Sequence, residues 1–488
     1  MSARRTTTGS AISEAYPSSV PTTSSRRAPE RMRAPDRMRE AVNVSGRPFW
    51  DDEIETMTPD ARRRLEDERL GEQIAYDYAT SPYYRSKLDE AGVRPGDVRG
   101  VDDLAAIPFM EKTEVAASQA DGTLLGVNQC APLDRIVRIQ ATGGTTGQPI
   151  RIGLTRRDIE DYGEMGARAL WAMGCRPGEV VFECMNYNLY SGGLSDHLTF
   201  ETLGAATIPF GVGHSERLLT MMSGLADPFG IWATPSYAVR LAEVARGLGL
   251  DPRAIGLRKG YFSGEAGLQV PGYREKVEEL WGMVARDQYG TGELGLHSGE
   301  CEALDGVHYG GLGFAVAELI DPDTGDVLPF TEGQRGEVVY TSIRREASPL
   351  LRMRSHDVMQ VFTEPCRCGR TSWRFRVLGR SDDMFIVKGV NVFPLAIQTS
   401  LMTLAPQLTG EFQVDLDRPP PIDYPVPLSV EVDPDVPESR REALTRGVVE
   451  RLQRDVNFTA DVRLVGPGTI AAEGKTRRVI RTYRGEDR

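Results

Sequence analysis

The sequence predicts an α/β protein: a large N-terminal α/β domain with a β-rich subdomain on its sheet, and a small α+β C-terminal domain. Apolar strand patterns alternate with helical patterns across residues 130–300, which is typical of a largely parallel sheet. From about residue 305, short strand patterns and turns replace that alternation. A polar, glycine-containing stretch at 379–383 then separates two apolar runs, and the residues after it have an α+β pattern of their own.

Length and composition limit the class of protein. A chain of 488 residues exceeds what one core usually organises, so at least two domains are expected. The net charge of -12 argues against a nucleic-acid partner, and no apolar run approaches the roughly 20 residues that span a membrane. Six cysteines are too few for a disulfide scaffold, which favours a reducing, cytoplasmic location.

The domain boundaries follow from shifts in composition. Residues 1–45 are rich in Ser, Thr, Pro and Arg and predict a disordered tail. A transit peptide has a similar composition, but Glu14, Glu30 and Asp36 and the lack of amphipathic periodicity favour a plain tail. The N-terminal domain is predicted over 46–379 and the C-terminal domain over 380–488.

The individual elements are predicted from periodicity and from capping or turn residues. Helical patterns cover 60–92, 158–173, 234–250 and 438–456. Strand patterns cover 136–139, 150–154, 179–182, 259–262, 316–320, 337–340, 358–362 and 428–432.

The loop at 142–149 is the most informative stretch, and it reads Thr142-Gly143-Gly144-Thr145-Thr146-Gly147-Gln148-Pro149. Its glycines leave backbone N–H groups unshielded, and such amides can wrap an anion such as a triphosphate. Strand patterns on both sides exclude the strand–loop–helix context of a Walker loop. The loop alone is equally compatible with a glycine-rich turn that binds no ligand.

Several motifs in order resemble those of the adenylate-forming superfamily. The loop at 142–149 resembles the superfamily's Ser/Thr/Gly-rich phosphate loop, and the run Lys388-Gly389-Val390-Asn391 resembles its phenylacetate–CoA ligase branch. The other matching segments are Tyr289-Gly290-Thr291-Gly292-Glu293, residues 351–357, the hinge motif at 379–384, and Gly474-Lys475. The resemblance covers about residues 50–485, and so many motifs in the right order argue against chance.

The resemblance implies an ATP-dependent enzyme that adenylates an aromatic carboxylic acid, releases pyrophosphate and passes the acyl group to coenzyme A (CoA). It implies ATP, Mg²⁺ and CoA as cofactors or substrates, a mobile C-terminal domain, and an oligomer, with a dimer favoured. Three alternatives stay open. The acceptor could be a carrier protein, an amine or another nucleophile of a biosynthetic pathway; ATP could activate a different oxyanion; or the chain could be a non-catalytic nucleotide-binding homologue.

The same resemblance assigns roles to single residues. Lys475 and Glu293 are the expected catalytic residues, Lys475 near the α-phosphate and Glu293 on Mg²⁺. Asp382 is the expected pivot of a hinge at 380–382. The expected nucleotide-binding residues are Thr142, Gly143, Gly144, Thr145, Thr146, Gly147, Ser263, Gly264, Glu265, Tyr289, Gly290, Thr291, Asp357 and Arg380.

The acyl-binding segment is predicted at 185–193, with Tyr187, Tyr190, Ser191, Gly192 and Gly193 as substrate-binding residues. Its glycines are expected to let a flat ring approach the backbone.

Two residues depart from the family pattern. Gln148 replaces the lysine of the phosphate loop, and Gly292 replaces a hydroxyl residue before Glu293. Both departures remove groups that would bind phosphate, and Arg151 is the candidate to compensate for Gln148.

A metal site is predicted from Cys301, His308, Cys366 and Cys368. Three thiolates and one imidazole suit a closed tetrahedral zinc site, although Cys-x-Cys is a less specific spacing than Cys-x₂-Cys. Some relatives in the phenylacetate–CoA ligase branch carry a similar set, which favours structural zinc. The alternative is four unrelated residues with reduced thiols.

Overall fold

The structure is a computed structural model that describes residues 46–142, 149–265, 267–388, 390–470 and 477–484. The predicted N-terminal tail, most of the phosphate loop and Lys475 lie outside these residues. From Arg47 onward the chain forms one compact unit. No described helix is long and apolar enough to cross a membrane.

Helices flank the sheets and carry much of the core. Within the described residues they are α1 (Asp52–Glu55), α2 (Pro59–Thr80), α3 (Pro82–Glu90), α4 (Lys112–Ala120), α5 (Arg156–Ala172), α6 (Ser191–Leu203), α7 (Ser215–Ser223), α8 (Pro235–Gly247), α9 (Tyr273–Trp281), α10 (Pro394–Met402) and α11 (Glu438–Asp455). Most of the predicted helices are confirmed, with ends within a few residues of the expected ones. The pattern over 60–92 is two helices, because Ser81 ends α2 and caps α3, and Pro82 fits only the first turn of a helix.

Strands form one large sheet and three smaller ones within the described part of the chain. They are β1 (Arg138–Ala141), β2 (Arg151–Leu154), β3 (Val180–Glu183), β4 (Ala206–Pro209), β5 (Phe229–Ala233), β6 (Leu257–Phe262), β7 (Val284–Thr291), β8 (Gly295–Glu300), β9 (Val307–His308), β10 (Ala315–Ile320), β11 (Val327–Leu328), β12 (Arg335–Ser342), β13 (Met353–Phe362), β14 (Arg374–Arg380), β15 (Phe385–Val387), β16 (Val390–Val392), β17 (Leu408–Leu416), β18 (Val426–Val432), β19 (Ala460–Val465) and β20 (Val479–Arg481).

The large sheet has the order β11-β10-β12-β13-β14-β9-β8-β7-β6-β5-β3-β4. Strands β3 to β7 pair in parallel, and β7 to β14 pair in antiparallel fashion, so the predicted parallel half and β-rich half share one sheet. All five residues of β5 are buried, as expected for a central strand of a parallel sheet covered on both faces. The predicted α/β fold class is confirmed.

Parallel pairing places the carboxyl ends of β3, β5, β6 and β7 at one edge of the sheet. Open α/β sheets bind ligands at this edge because the loops there converge. The segments that follow these strands are 184–190, the start of α8, residues 263–265 and Thr291–Glu293. Three of these four segments carry predicted site residues.

The C-terminal part has the predicted α+β pattern, with sheet order β19-β18-β17-β20 and helices α10 and α11. Its own core includes Phe412, Val430 and Val448. Met402, at the end of α10, is instead buried in the core of the parallel half, with Tyr273 of α9. An apolar contact therefore docks the C-terminal part against α9.

Candidate active site

The base of the phosphate loop is a closed hairpin between β1 and β2. The Thr142 N–H donates to the Ile150 carbonyl at 3.0 Å, and the Ile150 N–H donates to Thr142 Oγ1 at 3.4 Å. On the other side, the Ala141 N–H donates to the Leu189 carbonyl at 2.7 Å. The hairpin therefore holds the start of the loop beside the predicted acyl-binding segment. Gly143, Gly144, Thr145, Thr146, Gly147 and Gln148 lie outside the described residues.

Thr142 also packs against Gly292, the second residue that departs from the family pattern. A Cβ atom at position 292 would lie 2.8 Å from Thr142 Cγ2 and 3.0 Å from Thr142 Cα. These distances are shorter than real carbon–carbon contacts allow. Glycine at 292 therefore lets the base of the loop sit directly on the Tyr289–Glu293 segment.

Glu293 is buried, with 6% of the residue exposed, and its Oε1 lies 2.8 Å from the ammonium group of Lys112. Burial by itself raises the pKa of a carboxyl group, but Lys112 holds the pKa of Glu293 below its usual value. Lys112 is the first residue of α4 and keeps 28% of its side chain exposed. No family motif covers Lys112, so it is not among the predicted site residues.

Arg151 does not supply a free cation to the loop. Its guanidinium donates to the carbonyls of Leu124 at 2.7 Å, Thr123 at 3.2 Å and Gln119 at 3.4 Å. These contacts do not support compensation of Gln148 by Arg151, which stays a prediction.

Asp357 lies between two of the predicted nucleotide-binding residues. The Tyr289 hydroxyl donates to Asp357 Oδ2 at 2.6 Å, and the Arg380 guanidinium donates to Asp357 Oδ1 at 3.1 Å. Arg380 also makes two hydrogen bonds to Asp382, at 2.8 and 2.7 Å. Burial raises the pKa of Asp382, but Arg380, with smaller contributions from His356 and Lys112, lowers it below its usual value. The structure thus brings Tyr289, Asp357, Arg380 and Asp382 into one bonded group.

The segment after β6 is anchored to the start of α8. The Glu265 carboxylate accepts from the Ser236 hydroxyl at 2.8 Å and from the Ser236 N–H at 3.2 Å. The Ser263 N–H donates to the Ala233 carbonyl at 3.1 Å, and Gly264 lies between the two anchored residues. Two sheet-edge loops are therefore fixed to each other.

The predicted acyl-binding segment leads into α6, whose first three residues are Ser191, Gly192 and Gly193. Tyr190 immediately precedes α6, and the Tyr187 hydroxyl lies 3.0 Å from His197 Nδ1. A Cβ atom at position 193 would lie 2.5 Å from the Asn186 carbonyl oxygen. The space above Gly193 is therefore filled by the chain's own backbone, and the expected approach of a ring does not apply there.

Two buried carboxyl groups lie beneath this segment. Glu183, at the end of β3, accepts from the Met185 N–H at 3.1 Å, and burial raises its pKa to about 9. Asp196 accepts from the Trp232 indole N–H at 2.9 Å, and burial raises its pKa well above the usual value. Burial therefore disfavours the charged form of both groups, which reduces their repulsion of an anion bound nearby.

The four predicted zinc-binding residues come together. Their candidate ligand atoms, three sulfurs and one imidazole nitrogen, all lie within 4.8 Å of one another. Cys301 Sγ is 3.6 Å from Cys366 Sγ, and Cys368 Sγ is 3.3 Å from His308 Nε2. The other imidazole nitrogen of His308 is 3.2 Å from the Ser372 hydroxyl, which can fix the orientation of the ring.

The chain is similar to known proteins over most of its length. Residues 389–482 match the family model described as "AMP-binding enzyme C-terminal domain". The chain is 35% identical to a phenylacetate-coenzyme A ligase of Thermus thermophilus, over 88% of this chain and 99% of that one. It is 31% identical to a phenylacetate-coenzyme A ligase of Aromatoleum evansii, over 88% and 96%.

Two solved states of one relative match to different degrees. The 2-hydroxyisobutyryl-CoA ligase in its postadenylation state, bound to R3-HIB-AMP, matches with a TM-score of 0.83 and 31% identity, over 91% of this chain and 94% of that one. The same ligase in an open conformation with 2-HIB-AMP and CoA matches with a TM-score of 0.68 and 31% identity, over 90% and 96%.

The contact between Thr142 and Gly292 predicts the effect of restoring a hydroxyl residue. We expect Gly292→Ser to lower the free energy of unfolding by about 1–3 kcal/mol, because the new Cβ overpacks against Thr142. Denaturant unfolding measures the change. Thr142→Ser in the same chain removes Cγ2 and should recover part of the loss, whereas Gly247→Ser, where nothing lies within 4 Å, should be nearly neutral. A Gly292→Ser variant as stable as the parent chain would contradict this account of the contact.

Proposed function

Because the chain belongs to the phenylacetate–CoA ligase family of adenylate-forming enzymes, we propose that it activates an aromatic carboxylic acid with ATP and transfers the acyl group to CoA. The chain is an AMP-forming acid–CoA ligase, as its curated relatives are. The aromatic class of the acid and the role of each residue are the proposal. The observation that carries it is the convergence of Glu293, Asp357 and Arg380 at the edge where β6 and β7 end.

The first half-reaction joins two anions. A carboxylate oxygen of the acid attacks the α-phosphorus of ATP, the bond to the β-phosphate oxygen breaks, and pyrophosphate leaves with that electron pair. Neutralising and aligning both reactants is most of the catalytic task. Thr142, Thr145, Thr146 and the amides of the loop glycines would hold the β- and γ-phosphates.

Glu293 fits a magnesium ligand. It is a buried carboxylate whose pKa is held low, and an ammonium group 2.8 Å away already satisfies it as a cation would. Mg²⁺ is commonly bound by one or two carboxylates together with substrate phosphates. When bound, Mg²⁺ supplies neutralising charge on the triphosphate. The protein's part is to keep Glu293 ionised and in place.

Asp357 and Arg380 would bind the sugar of the nucleotide. The carboxylate has two oxygens that can accept from the two ribose hydroxyls, a task for which Tyr289 keeps it oriented. Arg380 would hold Asp357 in place through their hydrogen bond and reach toward the ribose or the phosphates. Ser263, Gly264 and Glu265 would line the adenine from the neighbouring loop.

Support for an aromatic acid comes from the curated relatives and from the residues of the acyl segment. The relatives are named for phenylacetate, and Tyr187 and Tyr190 lie on the segment that faces the loop base. One matching structure is named for 2-hydroxyisobutyrate instead, so the test must compare both classes of acid. Because burial raises the pKa of Glu183 and of Asp196, their repulsion of an acidic substrate nearby would be reduced.

The described arrangement would be that of the adenylation half-reaction, since the match to the postadenylation state is closer than that to the open state. Three contacts link α9 to the C-terminal part. Met402 packs beside Tyr273, the Lys276 ammonium donates to the Thr409 carbonyl at 2.7 Å, and the Tyr273 hydroxyl donates to Glu411 at 3.3 Å.

Lys475 lies outside the described residues, three positions before Arg478. Arg478 makes a buried ion pair with Glu411 at 2.7 Å. This pair ties the end of the lysine-bearing segment to β17, near α9. Lys475 would stabilise the charge that develops at the α-phosphate, and rotation about 380–382 would then withdraw it and admit CoA.

The Cys301–His308–Cys366–Cys368 cluster would bind structural zinc. All four positions of a tetrahedral site are filled by protein donors, which leaves none for a substrate. The site would tie the β13–β14 connection to the end of β8 and to β9, on which His308 lies. Its role would be to stabilise this part of the large sheet.

Exchange of pyrophosphate into ATP tests the proposed adenylation. With CoA absent, we expect acid-dependent exchange with phenylacetate or a related aryl acid, at least about tenfold faster than with 2-hydroxyisobutyrate. Lys475→Ala should reduce exchange about 10²–10³-fold, because it removes a cation aimed at developing charge. Lys87→Ala, which removes a lysine paired with Glu114, is the control.

Each other outcome of that experiment has a separate meaning. Exchange only with aliphatic acids would reject the aromatic class. Exchange that is not followed by acyl-CoA formation when CoA is then added would indicate a different acceptor. No exchange with any acid, despite ATP binding, would favour a non-catalytic homologue.

The Lys276 contact predicts a selective effect on the two half-reactions. Lys276→Met should slow pyrophosphate exchange about 3–10-fold, the equivalent of one hydrogen bond, because it weakens the adenylation arrangement. Transfer to CoA from a supplied acyl-adenylate should be unchanged or faster. Glu275→Gln, at an exposed position of the same helix, is the control. Equal slowing of both half-reactions would contradict the inferred conformation.

Elemental analysis tests the zinc site. We expect about one equivalent of zinc in protein purified without chelator, and its loss in Cys366→Ser and Cys368→Ser. Cys130→Ser changes a buried cysteine outside the cluster and should keep the metal. Less than about a tenth of an equivalent in the parent protein would contradict the proposal.

A further inference from the structure

We propose that His356 is a positioning residue for the hinge: its imidazolium holds Ser381, the middle residue of the predicted 380–382 pivot, and so favours the arrangement in which the C-terminal part is docked for adenylation. This role rests on the proposed function, and it makes the balance between the two half-reactions depend on pH.

His356 and Ser381 are joined at the backbone and at the side chain. The Ser381 N–H donates to the His356 carbonyl at 2.7 Å, and His356 Nδ1 lies 3.2 Å from Ser381 Oγ. His356 belongs to β13 of the large sheet, whereas Ser381 comes directly after β14. The N-terminal part therefore holds Ser381 at the point where the chain passes to the C-terminal part.

The backbone of His356 has an uncommon conformation. Its φ is 63°, in the left-handed region that favours glycine. A residue with a large side chain stays in this region only where its surroundings fix it there. The His356 N–H donates to the Glu337 carboxylate at 3.3 Å, and the His356 carbonyl accepts from Ser381. These two contacts fix the residue with its ring between Ser381 and Glu111.

The ring nitrogens of His356 both face groups that accept a hydrogen bond. Nε2 lies 3.0 Å from the Glu111 carboxylate, which can only accept. Nδ1 faces Ser381 Oγ, whose own proton can go to the Glu337 carboxylate at 3.1 Å or to the His356 carbonyl at 3.3 Å. A neutral ring has one N–H and can donate to only one of these partners, whereas the imidazolium donates to both.

The charged groups around the ring favour the imidazolium. Glu111 faces it from the residue before α4, Glu337 from β12 at 3.8 Å, and Asp382 from the hinge. Arg354 of the same strand is a basic neighbour, but it is paired with Glu337 at 2.7 Å and lies 3.7 Å from Glu111. The hydrogen bond to Glu111, helped by the charges of Glu337 and Asp382, raises the pKa of His356 above its usual value, against the effect of burial.

Loss of this proton affects the two arrangements differently. The contact with Glu111 lies within the N-terminal part, whereas Ser381 and Asp382 would move in a rotation about 380–382. The imidazolium therefore stabilises the docked arrangement, and this contribution is lost as the pH rises above about 6.5 and through the raised pKa of His356. A rise in pH should shift the enzyme toward the arrangement that transfers the acyl group to CoA.

Rates of the two half-reactions, measured on the full chain between about pH 6 and 9, test the proposal. At about pH 6, His356→Asn should slow pyrophosphate exchange about 3–10-fold, the equivalent of one hydrogen bond, and leave transfer from a supplied acyl-adenylate unchanged or faster. At about pH 9 the parent ring is neutral, so the exchange rates of parent and variant should agree within about twofold.

The choice of variants separates titration from damage to the backbone. Asparagine does not titrate and is one of the residues that tolerate left-handed backbone. His214→Asn is the matched control, because His214 is exposed and has a φ of 55°. It should change neither half-reaction. Equal slowing by His356→Asn at both ends of the pH range, or equal slowing of exchange and transfer, would overturn the proposal.

An NMR titration of the histidine rings in the full chain tests the contact without relying on activity. The chain has five histidines, and the signal that is absent from His356→Asn identifies His356. Ser381→Ala should lower the proton affinity of His356 about 2–10-fold, because the ring loses its acceptor at Nδ1. An unchanged titration midpoint in Ser381→Ala would overturn the proposal. Absence of exchange in the parent chain with every acid would reject the proposed function instead, and the titration would then decide the contact by itself.

Discussion

The crowding of negative charge at one edge of the sheet is the constraint on which the rest of the site depends. Under the proposed function, Glu293, Asp357 and Asp382 lie where a triphosphate and a carboxylate substrate would also bind. Two features of the structure reduce the electrostatic repulsion between these carboxyl groups and a bound anion. Glu293 is paired with Lys112 and Asp357 with Arg380, and burial raises the pKa of Glu183 and of Asp196. Pairing and burial both reduce the negative charge that an anion would meet at this edge.

The same constraint bears on the contact between α9 and the C-terminal part. That contact combines one apolar residue, Met402, with a few hydrogen bonds such as Lys276 to Thr409. Water can replace hydrogen bonds at small net loss, whereas a large apolar interface would resist opening. A docking surface of this kind suits a part of the chain that, under the proposed function, would first present Lys475 and then withdraw it.

Local signals predicted much of the fold, and long-range contacts account for what they missed. Alternating strands and helices gave the parallel half, and cysteine and histidine spacing brought together all four residues of the metal cluster. Pro82 indicates a break in the helix at Ser81, but the helical periodicity of residues 60–92 predicted one helix across that break. The ion pair of Lys112 could not be predicted locally, because its partner Glu293 lies far along the chain. The contacts of Arg151 could not be predicted either, because carbonyl partners such as Leu124 lie in an irregular loop.

Gly292, one of the two departures from the family pattern, acts through Thr142. Glycine at 292 removes a side chain, which lets the loop base rest on the segment that ends in Glu293. That close packing fixes the start of the loop near the Lys112–Glu293 pair. Lys112 is positioned by α4, and its ammonium offsets the cost of burying the Glu293 carboxylate. The close packing of Thr142 on Gly292 and the Lys112–Glu293 pair therefore fix the two neighbouring residues 292 and 293 from different elements.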